Sequence, residues 1–316
     1  MRASLTALTA ELKRLKASGV KSLAVSESSL VQLRAALAKQ GGAKAAPSPV
    51  QATAVAAKPV ERAAVSAVDD PAAAYKPPVR TFTVKPVAAP AATLPAPTPF
   101  TLPDGDKTAR WAALRERVLA DPVCRANVRA GKQLVVGVGS LDAKIMFVGE
   151  APGAEEEVQG EPFVGPAGQL LNKMIGAMGL KRADVYIGNI MNWRPQMPVD
   201  ASGVQYGNRP PTPEELAYCL PYLKAQIEVV NPELLVALGS TAAQGLLGPG
   251  TFKALGEVRG RWKEFAGKPL MVTYHPSYIL RNQSNQSKRL IWEDLLKVMD
   301  RAALPVSEKQ RGFFLG

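Results

Sequence analysis

Between residues 145 and 274 the chain alternates short, wholly apolar runs with longer stretches in which apolar residues recur at helical spacing. The runs are Ile145 to Val148, Val185 to Ile187, Leu234 to Leu238 and Leu270 to Tyr274, each bounded by glycine, proline or polar residues. Runs of that length and β-rich content predict strands buried on both faces. Helical patterns occupy 107–119, with Trp111, Leu114 and Val118 inward, then 166–179, 212–230, 239–247 and 287–303. The third starts at Thr212-Pro213-Glu214-Glu215, with Thr212 as N-cap and Pro213 in the first turn. Strands alternating with helices predict a three-layer α/β/α domain with a central parallel sheet, spanning residues 101–316.

The first hundred residues lack that alternation. Residues 3–39 carry Leu5, Leu8, Leu12, Leu15, Leu30, Leu33 and Leu37 at helical spacing, interrupted by Gly19 and by serines at 26–29. This predicts a short helical segment over 1–40 whose narrow apolar face either frays or docks on a protein partner. Residues 41–100 turn to Ala and Pro with scattered Lys and Arg and hold 11 of the chain's 27 prolines, a composition that predicts an extended, disordered basic linker. The formal net charge is +12, and residues 1–100 hold 13 Lys/Arg against 5 Asp/Glu. The basic excess points to a polyanionic partner and is concentrated in the arm rather than the domain.

Other classes are excluded by what is absent. No apolar run approaches the roughly 20 residues needed to span a bilayer. Charged residues interrupt MRASLTALTAELKRLKASG where a signal peptide carries a core of roughly 7–15 apolar residues, so a cytoplasmic location is expected. Cys124 and Cys219 are the two cysteines of the chain, too few for a disulfide scaffold or a four-cysteine metal site, and free thiols are expected.

Candidate chemistry collects where the predicted strands end. The first strand runs into Gly149, Glu150, Ala151, Pro152 and Gly153, followed by Glu155, Glu156, Glu157, Glu161 and Phe163. The glutamates also read as an acidic first helical turn. The second strand ends at Gly188-Asn189, the third at Gly239-Ser240, and the fourth at His275-Pro276-Ser277, His275 being the sole histidine. Strand ends of a parallel sheet lie side by side, which brings Glu150, Asn189 and His275 to one crevice with Phe163 on its wall. The GxG at 137–139 lacks the rest of a dinucleotide fingerprint.

With these residues assembled, the sequence resembles the family 4 uracil-DNA glycosylases over roughly residues 121–303. The resemblance rests on GEAPG at 149–153, GEPFVGPAGQLL at 160–171, VYIGN at 185–189 with Arg194-Pro195, NRPPTPEEL at 208–216 and TYHPSYILR at 273–281. It implies a monomeric DNA-repair hydrolase acting on uracil-containing DNA. Phe163 would stack on a flipped uracil, Asn189 would read its edge, and His275 would donate to O2. Pro276, Ser277, Leu280 and Arg281 would sit against DNA, with Leu280 as the wedge.

The chain departs from the family at three places. The family holds a [4Fe-4S] cluster on four cysteines; here Cys219 matches the last, Trp193 stands at the third, and Cys124 is the one candidate for the first pair. No cluster is expected. An insertion, QMPVDASGVQYG, separates Pro195 from Asn208 and contains no histidine, so the covalent trapping of a related branch is not expected. Ala151 occupies the position of another branch's water-activating aspartate, leaving Glu150 as first choice for that role and Glu156 as second. Two rival readings remain at this stage: a catalytically silent nucleic-acid-binding homologue, and a glycosylase for another deaminated base such as hypoxanthine.

Overall fold

The computed structural model describes residues 94–200 and 203–315. The helical segment expected at 1–40 and nearly all of the linker expected at 41–100 lie outside the described residues. Six strands form one sheet: β1 (Val138–Gly139), β2 (Ile145–Gly149), β3 (Tyr186–Asn189), β4 (Leu234–Leu238), β5 (Trp262–Phe265) and β6 (Lys268–Thr273). Their spatial order is β1-β3-β2-β4-β6-β5. The four expected strands form the parallel centre, with Phe147 opposite both Ile187 and Val236, and Val236 opposite Met271.

The sheet as a whole is mixed, which corrects the expectation of a parallel one. Both edge strands run antiparallel to their neighbours. For β5 the reason is local: only Ala266 and Gly267 separate it from β6, both at positive φ (51° and 70°). A two-residue hairpin of that conformation joins antiparallel strands, whereas a parallel crossover needs a dozen residues or more.

The helices are α1 (Lys107–Ala120), α2 (Pro122–Ala126), α3 (Ala154–Gln159), α4 (Pro166–Ala177), α5 (Pro213–Val230), α6 (Ser240–Leu247), α7 (Pro276–Arg281), α8 (Asn285–Arg301) and α9 (Glu308–Arg311). The five helices read from periodicity are present to within about two residues at nearly every end. Thr212 caps α5 as its sequence requires, accepting from Glu215 N at 3.2 Å while Glu215 Oε2 accepts from Thr212 N at 2.8 Å. None of the described helices is long and apolar enough to cross a membrane.

Strand periodicity then divides the core. Ile145 and Phe147 point to a cluster with Leu171 and Ile175 of α4 and Ile291, Trp292 and Leu295 of α8. Met146 and Val148 point the opposite way, to Leu223 and Ile227 of α5 and Ala242 and Leu246 of α6. Helices therefore cover both faces, and the sheet's carboxyl edge is left for the loops. A third cluster beside the sheet gathers Leu114, Val118, Cys124, Met191, Trp193, Tyr218 and Cys219, with Leu94 and Phe100 packed on it. The Phe100 ring stacks on Tyr222 at 5.4 Å, under the Arg117 guanidinium at 4.4 Å. Leu94 and Phe100, which fall at the end of the expected linker, pack on this cluster.

Candidate active site

At the carboxyl edge of β2, β3, β4 and β6 lies a cavity of about 570 Å³, bordered by Glu150, Ala151, Phe163, Asn189, Ser240 and His275. Ser277, Leu280 and Arg281 line it from α7. The strand-end reading of the sequence thus brings the expected residues together, apart from Pro276, which is buried in the first turn of α7.

His275 ends β6 and caps α7. Its Nδ1 accepts from Ser277 N at 3.1 Å and lies 2.9 Å from Ser277 Oγ. An Nδ1 that accepts from a backbone N–H carries no proton, so the neutral ring holds its hydrogen on Nε2 and is a donor there. Burial, with a smaller push from Arg281, lowers the pKa from 6.5 to about 4, although Glu156 acts weakly in the other direction. The ring lies against Phe163 with centroids 5.6 Å apart.

Phe163 is held in an unusual backbone state, φ 54°, and its side chain is buried. One feature leaves room for it and another holds it. Gly168 approaches so closely that a Cβ there would stand 1.8 Å from the Phe163 carbonyl oxygen. Arg182, in the 3-10 turn Arg182–Asp184, donates to Phe163 O at 3.2 Å, Pro162 O at 2.6 Å, Glu161 Oε1 at 3.1 Å and Asn172 Oδ1 at 3.1 Å. Under the Phe163 ring, Gly149 leaves room for the neighbouring amide: a Cβ there would fall 2.3 Å from Asn189 Oδ1 and 2.5 Å from Phe163 Cζ. Asn189 itself is 5% exposed, and its Oδ1 has no hydrogen-bond partner. A buried amide oxygen left unpaired costs free energy unless something else supplies the donor.

The two candidate carboxylates differ. Burial raises the Glu150 carboxyl above its usual range, offset in part by a hydrogen bond from Thr241 in the first turn of α6. Glu156 uses both oxygens on backbone: Oε2 accepts from Gly153 N, and Oε1 from Val164 N and Gly165 N, each at 3.0 Å. Glu156 thus ties the start of α3 to the Phe163 loop. The acidic-helix reading also holds, since Glu155, Glu156 and Glu157 occupy the first turn of α3. Ala151 is half-buried between the cavity and the third core cluster. Leu280 is 40% exposed at the cavity lining.

Sequence reasoning gave no role to Arg182, Thr241 or Arg194. Arg194 is buried in an ion pair with Glu157 at 2.8 Å. It also donates to Asn208 Oδ1 at 2.8 Å and Gly207 O at 2.7 Å, anchoring the 196–207 insertion beside the cavity. Two signals were available: Thr241 stands three residues beyond the end of β4, and Arg194 belongs to the Arg194-Pro195 pair.

The residues present do not fit a four-thiolate cluster. Cys124 and Cys219 are fully buried and in mutual contact; their hydrogen bond first, then burial, drives the Cys124 thiol well above its usual range. Two thiols are half the set that a four-thiolate cluster takes. The Trp193 indole fills the adjoining space, buried and 6.2 Å from the Tyr218 ring. Among the described residues no three His, Cys, Asp or Glu converge as a metal site.

An aromatic wall, an unpaired amide, a neutral imidazole donor and a buried carboxylate around one cavity define a site for a flat, hydrogen-bonding ring and hydrolytic chemistry. Comparison with known proteins agrees: residues 136–296 match the Uracil DNA glycosylase superfamily. A type-4 uracil-DNA glycosylase of Thermotoga maritima is 43% identical over 183 residues, covering 58% of this chain and 89% of the relative. One of Archaeoglobus fulgidus is 43% identical over 152 residues, 46% of this chain and 71% of the relative. A type-5 enzyme of Pyrobaculum aerophilum is 32% identical over 175 residues, 52% and 73% of the two chains. The chain belongs to the uracil DNA glycosylase superfamily.

Proposed function

We propose that this protein is a DNA-repair glycosylase that hydrolyses the N-glycosidic bond of uracil in DNA and leaves an abasic site. The observation that carries the reading is the buried, unpartnered Oδ1 of Asn189 at a cavity walled by Phe163. Uracil has what that atom lacks. Its N3–H donates to Oδ1, its O4 accepts from the same amide, and its face stacks on Phe163. Cytosine presents the reverse pattern and leaves buried groups unpaired.

Reaching such a cavity requires the nucleotide to leave the helix, at a cost of a few kcal/mol. Exposed Leu280 and Arg281, with Ser277 in the first turn of α7, are the groups that hold the strand and fill the gap, whereas Pro276 is buried. In the reaction the C1′–N1 bond breaks and its electron pair leaves on the base. Negative charge spreading to O2 is met by His275 Nε2–H, a neutral donor fixed by Ser277. Glu150 faces the developing positive charge on the sugar and takes a proton from the water whose oxygen bonds to C1′. Its raised pKa makes it the better base. With Glu156 spent on backbone amides, Glu150 is the preferred catalytic carboxylate and Glu156 a positioning residue. No step uses iron.

The reading is tested by incubating the full chain with an oligonucleotide containing one uracil and then treating it with alkali. A break at the uracil position is expected, and an intact strand at enzyme excess would overturn the assignment. A hypoxanthine-containing strand in parallel reports base preference.

A further inference from the structure

We propose that the loop at 204–208 is a fixed platform that stacks the Tyr206 ring on a nucleobase next to the uracil, on one side of it only. The inference rests on the glycosylase reading and adds a DNA contact to it. Tyr206 is 72% exposed, an unusual state for a side chain with so much apolar surface. Its neighbours are locked instead. Gln205 is buried, donates from Nε2 to Pro195 O at 3.1 Å and Gly207 O at 3.2 Å, and accepts at Oε1 from Met197 N at 3.1 Å. Gly207 has φ 76°, and its carbonyl also accepts from the buried Arg194. With Gln205 turned in and Gly207 pinned, the residue between them must point out.

That outward position is at the cavity rim, because Gly207, Asn208 and Arg209 line the cavity. The occupant is argued from this continuity: a strand that delivers one nucleotide into the cavity must lay its neighbours across the rim. Chemistry selects the base rather than the phosphate. Arg209, the nearest cation along the chain, already gives Nη1 and Nη2 to Glu215 at 2.7 Å each. What the loop offers is an aromatic face with exposed Val204 beside it. Every base has a π-face, so stacking tolerates any sequence, and a ring whose backbone is already immobilised loses little entropy on binding.

Single-turnover excision by the full chain on a short single-stranded uracil oligonucleotide tests this. Tyr206→Ala should raise the half-saturating enzyme concentration by about 5- to 100-fold, with little change in maximal rate or melting temperature. The factor should hold as salt rises, because no phosphate contact is lost. Tyr206→Phe and Tyr206→Trp should retain wild-type saturation. An abasic analogue placed on each side of the uracil in turn supplies the second readout: on one side it weakens the wild type by the same factor and leaves Tyr206→Ala unaffected. An unchanged half-saturation, an equal Tyr206→Ala penalty on all substrates, or a penalty that fades with salt would overturn the stacking role. If the wild type fails to excise uracil, the glycosylase reading falls separately. Anisotropy binding of the same oligonucleotides then decides on Tyr206, and equal affinities for wild type and Tyr206→Ala overturn it.

Discussion

Replacing Gly149 by Ala perturbs the site while leaving the identity of every side chain assigned to the substrate unchanged. The backbone at Gly149 lies outside the left-handed region, so alanine is conformationally acceptable there. Space is what it lacks, since the new methyl would stand 2.3 Å from Asn189 Oδ1 and 2.5–2.6 Å from two carbons of the Phe163 ring. Both groups must move. Overpacking of this kind costs about 1–3 kcal/mol of stability. The larger effect falls on catalysis, because the displaced groups are those assigned to the base. Losing about 1 kcal/mol of transition-state binding from each gives about 2 kcal/mol, roughly a 30-fold fall in kcat/KM. Losses near 3 kcal/mol each give about four decades. Gly188→Ala on the adjacent strand is the control, since its nearest side-chain contact would be an ordinary 3.4 Å to Gln226 Oε1. The assay is single-turnover excision beside thermal melting for both variants. Wild-type kcat/KM in a folded Gly149→Ala enzyme would refute the assignment of Asn189 and Phe163 to the base.

Four further outcomes are expected. Arg182→Ala frees the carbonyls of Pro162 and Phe163, so KM should rise more than kcat falls, with partial recovery in Arg182→Lys; equal losses in both constants would mean a general structural role. The pH–rate profile should show no break near 6.5, because His275 stays neutral down to about pH 4, whereas an acid limb above 4.5 belongs to Glu150 and should vanish from the residual rate of Glu150→Gln. Stability carries the opposite mark: below pH 6.5 the unfolded chain takes a proton that folded His275 refuses until about pH 4, so stability is lost across that window and not in His275→Gln. Trp193→Ala empties the space beside the two cysteines and should cost about 3–5 kcal/mol in denaturant melts, with the purified wild type free of stoichiometric iron. A loss under about 1 kcal/mol would show that packing there is not what holds the third cluster together.

What could be read from the sequence follows from the range of each interaction. The central strands and the helices that cover them were legible because their patterns are local and long enough to repeat. β1 has two residues, and in β5 Lys263 and Glu264 are exposed between half-buried Trp262 and Phe265, so neither gives an apolar run. Glu150, Asn189 and His275 were legible because a parallel sheet turns strand ends, which are sequence features, into spatial neighbours. The residues that hold them were not. Arg182 grips carbonyl oxygens about 20 residues back in the chain, and a carbonyl has the same sequence signature everywhere. Arg194 was quoted only as part of a motif, while its partners Glu157, Gly207 and Asn208 come from separate segments. The same distinction governs the two glutamates. The sequence puts Glu150 first and Glu156 second in one acidic loop, and hydrogen-bond accounting supplies a physical reason for that order. Three backbone N–H groups consume the oxygens of Glu156, whereas burial raises the Glu150 pKa despite a hydrogen bond from Thr241. Glu156 is therefore tied to the backbone, while burial makes Glu150 the stronger proton acceptor. Glu156→Gln should therefore act chiefly through geometry, loosening the Phe163 loop and raising KM, while Glu150→Gln removes the charge itself and lowers kcat. The reverse pattern would exchange the two roles.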